Sequence, residues 1–210
     1  VHIFSSQTLE SVNLPGLGCT VWGRAFGDSH QDRSPLEGWA APSDNQIHLA
    51  CLHGEVASQS SYGPISRDEI AASGLNYLAL GHIHQASGLQ REGKTYWAYP
   101  GCPEGRGFDE LGRKGVLYVE AEPGEKGVLF VEVEPERVTS QFIPLCRRRY
   151  EIIRVDLTGV QDPAAAVRVA LPEHAEAYIL RILLTGEGSQ PDLAALERTL
   201  APLCYGLTLQ

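Results

Sequence analysis

Leu75-Asn76-Tyr77-Leu78-Ala79-Leu80-Gly81-His82-Ile83-His84 is the segment from which the fold follows. Its first six residues form a short apolar run, the pattern of a buried strand. Gly81 allows a sharp turn at the strand end. Two histidines follow at spacing two. In extended backbone such residues point to the same side, so both imidazoles would face one point beyond the strand. Upstream, Ile47-His48-Leu49-Ala50-Cys51-Leu52 repeats the arrangement and ends at His53-Gly54-Glu55. Between the two runs, Ser66-Arg67-Asp68-Glu69 has serine three residues before glutamate, the signature of a capping box. A short helix then predicts a strand-helix-strand unit with its two strands parallel. Ligand sites gather at the carboxyl ends of parallel strands, where both histidine groups fall. Neutral imidazole is the commonest metal ligand. The spacing therefore predicts a metal site built from His53, His82 and His84.

Outward from this unit, the chain reads as sheet-rich in its first part and as alternating in its last. Cys19-Thr20-Val21-Trp22-Gly23-Arg24-Ala25-Phe26 is a β-rich run behind a turn at Asn13-Leu14-Pro15-Gly16. Ala86 to Gln90 and Thr95 to Ala98 predict a hairpin, as do Gly115 to Glu120 with Val128 to Val133. From Tyr150 the order becomes strand, helix, strand, helix, strand, with Pro163 and Pro191 at helix starts. These patterns predict an α/β chain with two domains, residues 1–148 and 149–210.

Composition narrows the function classes. Of 210 residues, 43% are apolar and 20% charged, as in globular proteins. No apolar run approaches the ~20 residues of a membrane span, and no leader is visible. Five scattered cysteines without a C-x-x-C pair argue against structural zinc and a disulfide framework, and for reduced thiols in a cytoplasmic setting. The net charge of −9 offers no general basic face to nucleic acid, although bound divalent ions would offset it locally. The chain starts at Val1 and contains no methionine, which reads as a fragment or a processed product.

Leu52-His53-Gly54 and Gly81-His82-Ile83-His84 resemble the last two motifs of calcineurin-like metallophosphoesterases. Tyr99-Pro100-Gly101-Cys102-Pro103-Glu104-Gly105-Arg106-Gly107-Phe108-Asp109-Glu110, followed by Lys114-Gly115-Val116, is similar to the SbcD/YhaO branch of DNA repair exonucleases. The resemblance implies part of a β-sandwich core flanked by helices, followed by a capping domain. It implies two metal ions, usually manganese, about 4 Å apart, acting on a phosphodiester of DNA. His53 and His82 would bind one ion and His84 the other. An SbcC-like ATPase partner and a homodimer paired through an upstream region are implied as well. The family's earlier motifs, Asp-x-His, Gly-Asp-x-x-Asp and Gly-Asn-His, would lie before Val1, so these residues alone carry about half a site and little or no activity. Asp28-Ser29-His30 matches the first motif as text, but neither Gly-Asp-x-x-Asp nor Gly-Asn-His follows it, and it reads as a polar loop. Arg106, Arg113 and Lys114 are candidates for phosphate contact. The Arg147-Arg148-Arg149 run reads as a solvated face. Two rivals remain on the residues alone. One is a three-histidine zinc hydrolase with an open fourth position. The other is a non-catalytic binding or assembly fragment.

Overall fold

The computed structural model describes residues 1–121, 138–188 and 190–210. Among the described residues, 1–102 with 116–121 and 138–143 form one compact unit, and 103–115 with 144–188 and 190–210 form another.

The first unit is built on a six-stranded sheet in the order β1-β2-β3-β4-β6-β5. Its strands are β1 (Glu10–Leu14), β2 (Cys19–Gly23), β3 (Ile47–His53), β4 (Tyr77–Gly81), β5 (Gln90–Glu92) and β6 (Thr95–Ala98). The outer pairs β1/β2 and β5/β6 are antiparallel. The inner strands β2, β3, β4 and β6 are mutually parallel, so their carboxyl ends share one edge. The parallel pairing follows from α1 (Arg67–Ala72), which carries the chain from β3 back to the start of β4. Ser66 caps α1 in the manner read from the sequence. Its side chain accepts from the Glu69 amide, and Glu69 accepts from the Ser66 amide at 2.7 Å.

β4 is apolar on both sides because both faces of the sheet are covered. Leu78 and Leu80 join Leu36, Ile65, Ile70, Leu75 and Trp97 in a core on one face. Tyr77 and Ala79 turn the other way, to a cluster with Ala98, Val138, Leu117 and Val119. The last three belong to a two-stranded sheet of β7 (Gly115–Ala121) and β8 (Val138–Pro144), which makes this unit a layered sheet-on-sheet structure. The second strand expected for the 115–120 hairpin, Val128 to Val133, lies outside the described residues. The hairpin expected from Ala86 has a shorter first arm, β5, because the backbone of Ser87 is engaged with Tyr99 instead.

The second unit contains β9 (Arg149–Asp156), α2 (Pro163–Ala170), β10 (Tyr178–Thr185), α3 (Leu193–Leu200) and β11 (Gly206–Leu209). Its strands are all parallel, in the order β11-β10-β9. Asp162 and Asp192 cap the two helices, each accepting from the amide three residues on at 3.0 Å. Val167, Leu196 and Leu200 of the helices close over Val155, Leu180, Ile182 and Leu209 of the sheet. The alternation read from Tyr150 onward is therefore a β-α-β-α-β fold. The arginine run is not simply solvated: the Arg148 guanidinium stands 3.7 Å from the Tyr205 ring centre, and Arg149 donates to the Tyr178 hydroxyl at 3.1 Å. No helix among the described residues is long and apolar enough to cross a membrane.

Candidate metal centre

The carboxyl ends of β2, β3, β4 and β6 deliver Phe26, His53, His82 and Tyr99 to the same sheet edge. In the parallel ladder His53 lies opposite Gly81, and the Gly54 amide donates to the Gly81 carbonyl at 3.3 Å. His82 is thus one residue beyond the partner of His53. The two rings meet edge to face with centroids 5.2 Å apart and planes at 74°. His84 is exposed, and its charge reaches His53.

The local backbone departs from the extended path read from the sequence. The positive φ falls on His82, at 111°, and not on Gly81. A non-glycine residue with such a φ is strained and persists only where its surroundings hold it. Gly81 is needed for space instead: a Cβ there would stand 3.2 Å from His53 Nδ1. Gly54 is needed for the same reason, since a Cβ would be 2.5 Å from the Gly63 carbonyl oxygen. Both glycines bring neighbouring backbone close to the histidines.

Tyr99 ties the two histidine segments together. Its buried hydroxyl accepts from the Val56 amide at 2.8 Å and donates to the Gly54 carbonyl at 2.9 Å, fixing the turn after His53. Its backbone exchanges bonds with Ser87, at 2.9 Å to the hydroxyl and 3.1 Å from the amide. The segment carrying His82 and His84 is therefore hung on the same residue. Burial pushes the Tyr99 phenol up, and the Glu55 charge adds to this against the Val56 amide.

Two side chains at this edge were not among the site residues expected from the sequence. Tyr62 stacks on His82 with centroids 5.0 Å apart and planes at 27°. His30, read as part of a plain polar loop, stacks on Tyr62 at 5.6 Å and 29°. The Gln31 amide donates to the Ser61 carbonyl and the Gly63 amide to the Gln31 carbonyl, a short parallel bridge that brings the loops together. An aromatic between serine and glycine soon after His53 was the available signal. Lys114, by contrast, is buried at 6% exposure and is no surface cation for phosphate.

The spacing of His53 and His82 suits a shared divalent ion, whereas the ligand atoms of His53, His82 and His84 do not all lie within 4.8 Å of one another. Imidazoles sharing one ion at about 2.1 Å per nitrogen have centroids about 4.5–5.5 Å apart, and the His53–His82 separation of 5.2 Å falls in that range. His53 is also kept neutral, the form that ligates. Its pKa is lowered by desolvation among its neighbours, then by the charges of His82 and His84. In the unfolded chain it regains its ordinary value near 6.5. Below that pH the unfolded chain binds the additional proton, so this group's contribution to stability falls as pH drops through the window between the two values. In a proton NMR titration of the metal-free chain, the His53 ring is expected to protonate at a lower pH than an ordinary histidine. A midpoint at or above 6.5 would contradict this electrostatic picture.

The chain is 34% identical to YhaO, an uncharacterized metallophosphoesterase of Bacillus subtilis (strain 168), over 126 residues. The match covers 57% of this chain and 30% of YhaO, so the chain spans well under half of that relative. No family model matches the chain.

Proposed function

We propose that this chain is the carboxyl-terminal part of a calcineurin-like metallophosphoesterase, a hydrolase of the SbcD-like DNA exonuclease type. The observation that carries the reading is the meeting of His53 and His82 from adjacent parallel strand ends, in the order of the family's last two motifs. The similarity to a protein named as a metallophosphoesterase supports the hydrolase class. The Tyr99–Glu110 resemblance supports the nuclease branch.

Divalent ions at such a site, two manganese ions on this reading, supply charge stabilisation to a phosphodiester and acidify water. The chain's own residues hold and orient part of that site. His53 presents a neutral ring to the site. His82 and His84 approach it from the neighbouring strand end. Tyr99 holds both segments in register. Gly54 and Gly81 keep the approach open. DNA is the proposed substrate, an SbcC-like ATPase and a second copy are the proposed partners, and the cytoplasm is the proposed location.

The reading assigns the bridging carboxylate and the remaining ligands to residues upstream of Val1. Manganese-dependent hydrolysis of a single-stranded or duplex DNA substrate is therefore expected from a longer protein that contains this chain, with only background hydrolysis from the 210 residues themselves. Robust hydrolysis by the 210 residues would overturn the half-site reading, and one tightly bound zinc per chain would favour a three-histidine zinc hydrolase.

A further inference from the structure

Tyr62 and His30 stand outside the expected ligand set, yet they stack in line on His82, the expected ligand whose backbone is strained. At φ 111° the backbone of His82 does not by itself favour the observed conformation. Something outside the residue must hold it. Two ring contacts brace its imidazole: His53 at the ring edge, and the Tyr62 ring stacked on it at 5.0 Å. Tyr62 is itself 42% exposed, so burial in a core does not hold it. It is held by stacking with His30 and by the bridge between Gln31 and Tyr62. That bridge is braced in turn, because the Arg24 guanidinium donates to Gln31 Oε1 at 2.6 Å.

We infer that Tyr62 is a positioning residue: its ring, backed by His30, holds the His82 imidazole at the angle at which it meets His53. The functional meaning rests on the reading of these histidines as metal ligands, where outer contacts orient the ligating ring. The loop of residues 27–33 thus serves the site from behind. The hydroxyl of Tyr62 is not required by this arrangement, and a phenylalanine ring would serve.

The test uses the 210-residue chain with labelled histidines and two readouts. Without metal, the cross-relaxation between the His53 and His82 ring protons reports their mutual position. It is expected to survive in Tyr62→Phe, to fall below about half in Tyr62→Leu, and to weaken in His30→Ala, since the stack orients the ring. His30 is exposed, so His30→Ala decides the matter if Tyr62→Leu does not fold. With Zn²⁺ as the probe, affinity is expected to fall about 10- to 100-fold in Tyr62→Leu and to change less than about 2-fold in Tyr62→Phe. Unchanged ring contacts in Tyr62→Leu, or in His30→Ala where the leucine variant is unfolded, would overturn the inference. If the parent chain binds no zinc while the ring contacts follow Tyr62 as stated, the positioning role stands and the metal-ligand reading fails.

Discussion

Replacing His82 and His84 together by alanine is expected to weaken divalent-metal binding by more than about 100-fold and to remove the phosphodiesterase activity proposed for a longer protein that contains this chain. The estimate is conservative, because loss of a contact one step removed from a metal already costs about 10- to 100-fold. The fold is expected to survive. His84 is exposed and His82 half-buried, and neither belongs to the buried clusters of the sheet. His82→Ala leaves the positive φ on a residue that still has a Cβ, so it removes the ligand without relieving the strain. His82→Gly separates these effects. It too should lose metal, while its thermal stability should equal or exceed that of the parent. Activity of the double alanine variant at the parental level would favour a binding or assembly role for this chain.

Tyr99→Phe is the second large effect expected. The ring stays, and the core contacts with Trp97 at 5.9 Å are kept. The hydroxyl is lost, and with it two bonds to backbone groups, the Val56 amide and the Gly54 carbonyl. Leaving the buried Gly54 carbonyl and the half-buried Val56 amide without partners costs about 1–3 kcal/mol, and a loss of about 2 kcal/mol in urea unfolding is expected. Because Gly54 follows His53 directly, metal affinity should fall as well, whereas a variant that removes a distant surface hydroxyl should change neither. A stability loss below ~0.5 kcal/mol, the low end for one hydrogen bond, would show that water replaces the phenol and that Tyr99 does not hold the turn.

Much of this arrangement was legible in the residues. The capping box at Ser66 and the apolar runs on either side of it imply parallel strands, and parallel strands imply that His53 and His82 leave the sheet on one edge. That inference needs only local patterns and one rule of connection. The apolar alternation after Tyr150 is legible for the same reason, since each element there carries its own cap or proline. What the residues did not show depends on distant packing. The strain at His82 cannot be read from Gly81-His82, because glycine is the residue on which a sharp turn is expected. The real demand on Gly81 is the nearness of His53 Nδ1, a contact between strands. His30 looked like part of a polar loop because its partner, Tyr62, is remote in sequence and the short bridge at Gln31 has no local signature. Tyr99 was legible as part of a motif, while the reach of its hydroxyl to the turn after His53 was not.

If His53, His82 and His84 converge on divalent ions, anomalous X-ray scattering at the manganese edge will locate those ions, in crystals grown with Mn²⁺ of a longer protein that contains this chain. Strong peaks are expected at the carboxyl ends of β3 and β4, with ring nitrogens of these three histidines at coordinating distance. Manganese bound elsewhere, with those imidazoles turned away from it, would rule out a metal centre built on these histidines.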